Sequence, residues 1–217
     1  MATHYSPKIP DPQSLFDIID ASNSRHTSGS GNILSGVRGI SWSRISTVTD
    51  TIEDGVKCFN MDNGYLETSG SGLYGQYYTI FYLWKPRTSD TAGSGWRTLH
   101  RNDNDHVAIV LSGGKSLGMY SNRSGGFRDS GYDIEINWQT LIVTGEGDSS
   151  TATTGTSTFY VNGQNVGTSD RVTCGTDLYR IGWSGQSPGK IAVAGSYNKK
   201  LTLDEISSLD KALRARL

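Results

Sequence analysis

The sequence predicts an all-β protein, and three observations lead to that fold class. Glycine is abundant, with 27 residues in a chain of 217. Hydrophobic residues make up 35% of the chain and charged residues 19%, and both values are low for a globular protein. Short segments rich in β-branched and aromatic residues alternate with turn dipeptides. A chain of this length and composition is typical of one large β-domain.

The predicted strands follow one another at short intervals, with turns at Asn63-Gly64, Gly113-Gly114, Gly125-Gly126 and Asn162-Gly163. In chain order we predict strands at Gly39–Trp42, Val56–Asn60, Gly64–Glu67, Tyr77–Lys85, Trp96–Arg101, His106–Ser112, Leu117–Ser121, Asp133–Asn137, Gln139–Thr144, Thr158–Val161, Gln164–Gly167, Leu178–Ile181 and Gly189–Tyr197. Two segments rich in Gly, Ser and Thr are predicted as long surface loops, Ser121–Gly131 and Gly145–Gly155. Nothing in the sequence indicates an internal repeat.

The segment Leu15–Asn23 near the start fits two interpretations. Leu15, Ile18 and Ile19 have helical spacing, whereas Phe16 and Ile18 before a polar turn fit an edge strand. We favour the strand and keep the helix as the alternative.

The last segment, "LTLDEISSLDKALRARL", predicts an amphipathic helix over 203–216. Thr202 and Glu205 have the spacing of a capping box. Acidic residues lie in the first turn and basic residues near the end, which complements the helix dipole. The apolar positions with helical spacing are Leu203, Ile206, Leu209 and Leu213.

The segment "STFYVNGQNVG" predicts a β-hairpin with a structural role. Asn162-Gly163 stands between two β-prone runs, and a type I′ turn needs positive φ at both central residues. The turn sets the register, and it places either Phe159 and Val161 or Tyr160 toward the core.

Three blocks in order resemble a known family: "YYTIFYLWKP", "NWQTLIVTGEG" with the hairpin after it, and "YRIGWSGQSPGKIAVAGSYNKKLTLDEISSL". Together, over roughly Val56–Leu213, they resemble the concanavalin A-like, laminin-G-like jelly roll. The resemblance implies a two-sheet antiparallel jelly-roll sandwich, on whose edge we expect the C-terminal helix.

The N-terminal stretch "YSPKIPDPQSLFDIIDASNSRHTSGSG" resembles the arm and first strand of jelly-roll proteins found on tailed-phage particles. This resemblance implies a virion component. We divide the chain into an N-terminal arm, 1–13, and a single jelly-roll domain, 14–217. The prolines stiffen the arm. We expect it to be mobile until Tyr5, Lys8 and Ile9 dock on a neighbouring capsid or tail subunit.

Charge and hydropathy argue against nucleic-acid binding, membrane insertion and a secretory signal. The net charge of −1 lacks the basic footprint of a nucleic-acid binder. The sequence shows neither the long apolar run of a transmembrane helix nor the apolar region of a secretory signal peptide. We expect Cys58 and Cys174 to be buried as small hydrophobes, and a disulfide between them stays open.

The segment "DIEIN" places Asp133, Glu135 and Asn137 on one face of a predicted strand. Laminarinase-type glucanases of the resembled fold carry catalytic carboxylates on one strand. Here the third position is an amide, so we expect a solvated strand face and no catalysis.

The segment "RNDNDH" offers oxygen ligands for calcium at Asn102, Asp103, Asn104 and Asp105. It lacks the glycine and distal glutamate of an EF-hand loop, and such residues also favour an ordinary turn. We therefore expect no metal and no cofactor, with calcium as the alternative.

Trp96 and Trp183 are the candidates for stacking on sugar rings, whereas Trp42, Trp84 and Trp138 are expected in the core. The predicted function is a non-enzymatic phage virion protein, most simply a capsid decoration module. A tail-fibre module that binds host-surface glycan is one alternative, and a glycoside hydrolase of the same fold is the other.

Overall fold

The computed structural model describes residues 9–22, 33–68, 76–87, 95–102, 105–110, 114–123, 125–173 and 179–217, with the backbone alone for 105–107. Over these residues the chain forms two eight-stranded sheets whose paired strands run antiparallel, followed by a C-terminal helix. The predicted two-sheet antiparallel sandwich is confirmed.

The first sheet contains β1 (Leu15–Asp20), β4 (Thr49–Glu53), β5 (Val56–Asn60), β7 (Tyr77–Pro86), β12 (Gln139–Gly147), β13 (Thr154–Val161), β14 (Gln164–Arg171) and β16 (Gly189–Tyr197). Its strand order is β14-β13-β12-β7-β16-β5-β4. The long strand β16 pairs on one side with β7, and on the other side with both β5 and β1.

The second sheet contains β2 (Ile33–Ser35), β3 (Ser41–Ile45), β6 (Tyr65–Thr68), β8 (Arg97–Arg101), β9 (Asp105–Val110), β10 (Ser116–Ser121), β11 (Gly126–Asp133) and β15 (Tyr179–Ile181). Its strand order is β11-β10-β9-β8-β15-β6-β3-β2.

The main core lies between the two sheets, and β7 shows how the sequence builds it. Tyr78, Tyr82 and Trp84 point toward the second sheet, because side chains alternate along a strand. Phe81 and Leu83 point to the opposite face of the first sheet and are also buried. Burial on both faces explains why this strand is apolar almost throughout.

The helix α1 (Leu203–Arg214) covers the outer face of the first sheet. The predicted capping box is confirmed, with Thr202 N donating to Glu205 Oε2 at 2.8 Å and Glu205 N donating to Thr202 Oγ1 at 3.3 Å. The expected position at the sandwich edge is wrong, because the helix contacts β12 and β7, which lie inside the sheet. Leu203 does not belong to the buried stripe and is 70% exposed.

Residues 9–13 also lie on this chain's own surface, contrary to the expected arm. The side chain of Ile9 is buried with Ile18 and Leu213. The hydroxyl of Tyr197 donates to the Pro10 carbonyl at 2.9 Å. Ile9 was predicted to dock on a partner, but its apolar surface is already covered. Tyr5 and Lys8 lie outside the described residues.

The structure differs from the sequence-based prediction at one predicted strand, at one predicted loop and at two strands that were not predicted. Asp133–Asn137 is not a strand, because β11 ends at Asp133. The predicted loop Ser121–Gly131 contains most of β11, and the strands β2 and β4 were not predicted. β1 confirms the strand interpretation of the N-terminal segment.

Candidate functional site

The outer face of the second sheet carries both tryptophans that the sequence singled out. Trp96 directly precedes β8 and Trp183 follows β15, and these two strands are antiparallel neighbours. The backbone N–H of Thr98 donates to the carbonyl of Gln186 at 3.1 Å, which ties the start of β8 to the loop after Trp183. In the part of the chain described, the helix lies on the other sheet.

The Trp183 cluster consists of Tyr65, Glu67, Arg101, Arg180 and Trp183. The guanidinium carbon of Arg101 lies 3.7 Å from the centre of the Trp183 ring, and that of Arg180 lies 5.1 Å away. The Tyr65 and Trp183 ring centroids are 5.0 Å apart at an interplanar angle of 31°. Nε of Arg180 donates to Glu67 Oε2 at 2.5 Å. Trp183 is half-buried, so part of its ring faces solvent.

Strand alternation and one tight turn position this cluster. Leu66, Tyr179 and Ile181 point into the core, so the residues that alternate with them lie on the outer face. Gly182 has φ 83, and a Cβ there would approach Met61 Cε to 3.1 Å. The N–H of Gln186 donates to the Trp183 carbonyl at 3.1 Å, which closes a turn directly after the indole.

The Trp96 cluster consists of Trp96, Tyr120 and Phe127, and all three rings are half-buried. The Trp96 ring centroid lies 5.4 Å from that of Tyr120 and 5.8 Å from that of Phe127. The Phe127 ring lies over Gly118, where a Cβ would be 2.7 Å from the ring. Met119 points into the core, so its neighbour Tyr120 lies on the outer face.

The sequence therefore indicated the two tryptophans but not the residues that complete the two clusters. The signal for Tyr65 and Tyr120 was present, because each stands next to a core residue in a short strand. Arg101 and Arg180 carried no such signal, since they meet Trp183 only through the pairing of β8 with β15. The other predicted tryptophans behave as expected: Trp42 and Trp84 are fully buried, and Trp138 packs partly buried against the outer core of the first sheet.

The three polar side chains of "DIEIN" make hydrogen bonds with neighbouring side chains. Asp133 accepts from the Ser116 hydroxyl at 3.0 Å, and Glu135 Oε2 accepts from the Asn137 amide at 2.9 Å. All three are exposed, and only Asp133 belongs to a strand.

The predicted calcium ligands are only partly described. Asn102 is buried and donates through Nδ2 to Thr173 Oγ1 at 3.1 Å. Asp103 and Asn104 lie outside the described residues, and for Asp105 the backbone alone is described. Among the described residues, His, Cys, Asp and Glu form no group of three or more that could hold a metal ion.

A cavity of about 480 Å³ lies elsewhere, on the first sheet. It is lined by Ala21, Ser22, Asp50, Thr51, Ile52, Lys57 and Cys58, none of them aromatic. Asp50 is paired with Arg44 at 2.8 Å. Cys58 is a free thiol whose burial raises its pKa to about 11, so it is unreactive near neutral pH. Cys174 lies outside the described residues.

In the described part of the chain, no helix is long and apolar enough to cross a membrane. No protein-family model and no curated protein sequence matches the chain.

Solved structures with the same fold include domain 4 of AbnA, a GH43 extracellular arabinanase from Geobacillus stearothermophilus, in complex with arabinotriose. The two chains are 14% identical with a TM-score of 0.68, over 91% of this chain and 98% of that domain. A second is Trypanosoma rangeli sialidase in complex with sialic acid, 13% identical with a TM-score of 0.62, over 92% of this chain.

A third is botulinum neurotoxin type C, whose cell entry is described as dependent upon interaction with two ganglioside molecules. It is 13% identical with a TM-score of 0.63, over 93% of this chain. The match covers 33% of the sialidase chain and 51% of the neurotoxin chain, so this protein corresponds to one portion of each. These similarities establish the β-sandwich fold.

Proposed function

We propose that this protein is a non-catalytic carbohydrate-binding β-sandwich that holds glycans on the outer face of its second sheet. The observation that supports this most directly is the Trp183 cluster, in which a half-exposed indole contacts one aromatic ring and two arginines. A flat aromatic ring with a polar edge suits the apolar face of a sugar and its hydroxyl groups at the same time.

The contacts of Trp183 favour binding because they limit its motion before a ligand arrives. Arg101 and Tyr65 both contact the ring, and the turn after it restricts the backbone. A side chain that is already positioned loses less conformational entropy on binding. The guanidinium groups also provide hydrogen-bond donors next to the indole.

The similar structures agree with a glycan as the class of ligand. The arabinanase domain is in complex with arabinotriose, the sialidase with sialic acid, and the neurotoxin depends on gangliosides for cell entry, so these carbohydrates are chemically diverse. We therefore propose carbohydrate as the ligand without choosing among these sugars.

The arrangement of carboxylates supports binding without hydrolysis. Most glycosidase families, whether retaining or inverting, use two carboxyl groups that face each other across the scissile bond. Glu135 instead accepts from Asn137, which cannot act as an acid or a nucleophile. We propose that the module needs no cofactor, with calcium at Asn102–Asp105 as the alternative.

Attachment to a phage particle is a separate proposal that rests on the sequence resemblance alone. Because Ile9 is anchored on the sandwich, a docking arm would comprise residues 1–8, with Tyr5 and Lys8 as its contacts. In that setting, capsid decoration and a glycan-binding tail module place the same sandwich on the virion surface.

Binding of the purified protein to immobilised arabinan, sialylated and neutral galactose-containing glycans tests the carbohydrate proposal. We expect at least one class to bind, and we expect Trp183→Ala to weaken that binding about tenfold, as for one lost aromatic contact. Tyr77→Ala is the matched control, since Tyr77 is 43% exposed but lies on the first sheet.

Absence of binding to every class, or equal loss in both variants, contradicts the proposal. The glycans should be recovered intact. Release of reducing sugar that Glu135→Gln abolishes would show an enzyme.

A further inference from the structure

Residues of six neighbouring strands stand in register across the second sheet, in one row perpendicular to the strands. The pairs along this row are Phe127 with Tyr120, Tyr120 with His106, His106 with Arg101, Arg101 with Arg180, and Arg180 with Glu67. Residues paired in this way lie side by side on the same face of a sheet. His106 is placed in the row by its backbone pairing alone.

Both aromatic clusters contribute residues to this row, whereas Trp96 lies directly before β8 and Trp183 two residues after β15. Tyr120 and Phe127 belong to the Trp96 cluster, and Arg101 and Arg180 to the Trp183 cluster. β9 lies between β8 and β10, so the row spans two strand spacings, about 10 Å, from Arg101 to Tyr120.

Besides the row of paired residues, hydrogen bonds between Thr98 and the loop after Trp183 also connect the two clusters. Thr98 donates to Gln186 through both its backbone N–H, at 3.1 Å, and its hydroxyl, at 2.5 Å. Thr98 is two residues after Trp96, and Gln186 is three residues after Trp183. The two tryptophans are therefore fixed relative to each other by short, ordered segments.

We propose that the two clusters are two subsites for one linear glycan chain, which runs across the strands along this row. This inference rests on the proposed function and adds the class of ligand: an extended oligosaccharide and not a single terminal sugar. One sugar ring occupies the Trp183 platform, and a later unit of the same chain stacks on Trp96, Tyr120 or Phe127.

The surroundings of the Trp96 cluster favour a glycan as its ligand over the apolar surface of a protein partner. Arg128 and Asp129 directly follow Phe127 and are exposed, and Arg128 pairs with Asp170 at 3.3 Å. The cores of protein interfaces are depleted of charged residues. A sugar chain, in contrast, presents hydroxyl groups that can form hydrogen bonds with charged residues such as Arg128 and Asp129.

The experiment is a titration with length series of linear arabino-, gluco- and galacto-oligosaccharides and with sialylated glycans, followed by calorimetry. Wild type should bind long chains more tightly than short ones in the series that it recognises. Trp96→Ala should bind short chains like wild type but lose the gain with length, a fall of about tenfold. Phe127→Ala should behave in the same way, and Tyr77→Ala should match wild type at every length.

Equal weakening of short and long chains by Trp96→Ala and Phe127→Ala would overturn the second subsite and leave the proposed function standing. Unchanged long-chain affinity in both variants would do the same. Failure of wild type to bind any member of any series would overturn both the proposed function and this inference.

Discussion

His100 on β8 is fully buried, with its ring centroid 4.4 Å from that of Tyr179. Desolvation disfavours the charged imidazolium and lowers the pKa of His100 from 6.5 to about 3. Asp17 on β1 is buried as well, and it accepts from Trp42 Nε1 and from the Arg38 N–H, each at 2.8 Å. Burial raises the pKa of Asp17 from its ordinary value. The two shifts act in opposite directions as the pH falls, because protonation of His100 favours the unfolded chain whereas Asp17 takes up a proton more readily in the folded chain.

We expect the free energy of unfolding to fall as the pH drops below about 6.5. The unfolded chain then binds a proton at His100 that the folded chain excludes, so the stability present above pH 6.5 is lost toward pH 3. The loss from this residue is on the order of 2 kcal/mol at pH 5. Denaturant titrations of wild type and His100→Phe between pH 7 and pH 4.5 measure it, because the variant lacks this contribution. Parallel pH profiles would contradict the assignment.

At the level of elements, the hairpin between β13 and β14 links the sandwich to α1. Asn162 and Gly163 have φ 50 and 78, which confirms the predicted type I′ turn. Phe159 and Val161 point to the main core, and Tyr160 points to the core beneath the helix. Asp210 of α1 accepts from Thr140 Oγ1 at 2.5 Å next to this turn, and its side chain is almost fully buried.

Gly163→Val should lower the free energy of unfolding by roughly 1–3 kcal/mol through backbone strain, with a further loss at Asp210. A Cβ at position 163 would lie 3.0 Å from Asp210 Oδ2. Gly55→Val is the matched control, since Asp54-Gly55 has the same positive φ values and open space around it. Chemical denaturation compares the two variants. Equal losses would show that the contact with Asp210 does not matter.

The segment Ile9–Gln13 acts as a strap on the first sheet. Lys199 joins it to the helix, with Nζ 2.7 Å from both Asp11 Oδ2 and Glu205 Oε1. These contacts raise the pKa of Lys199 and lower the pKa of Asp11. The expectation of a mobile arm over residues 1–13 is therefore revised for residues 9–13.

A chain beginning at Ser14 should be less stable than one beginning at Ile9, by roughly 1.5–3 kcal/mol from the loss of one buried isoleucine. Thermal melts of the two chains measure the difference, and equal melting temperatures would refute the strap. If residues 1–8 anchor the protein on a phage particle, the chain beginning at Ile9 should fold normally and fail to join the particle. Assembly as efficient as that of the full chain would refute the anchor.

At the scale of the whole molecule, the two sheets differ in how their outer faces are used. The first sheet is covered by α1, by the strap and by the residues around Leu201, which form a second core. The second sheet has half-buried aromatic rings on its outer face. In the described part of the chain the helix covers the first sheet, and for that reason we propose the second sheet as the face for a ligand.

Several features were readable in the sequence because they depend on neighbouring residues. The Asn162-Gly163 turn, the Thr202 capping box and the long apolar strand β7 each follow from local preferences. The strand β4 was missed because its side chains are mostly exposed or half-exposed, although Asp54-Gly55 after it is a turn signal. The predicted strand Asp133–Asn137 was wrong. Polar and apolar residues alternate in the sequence beyond Asp133, but β11 ends at that residue in the structure.

The sequence by itself determined the fold class, the C-terminal helix and two candidate tryptophans, because period, turn chemistry and capping are local properties of the chain. The tertiary structure alone decided which face the helix covers, that Ile9 is buried, and that Arg101, Arg180 and Tyr65 meet at Trp183. These contacts join residues from distant parts of the chain, and they depend on strand order and register, for which a single sequence carries no local signal.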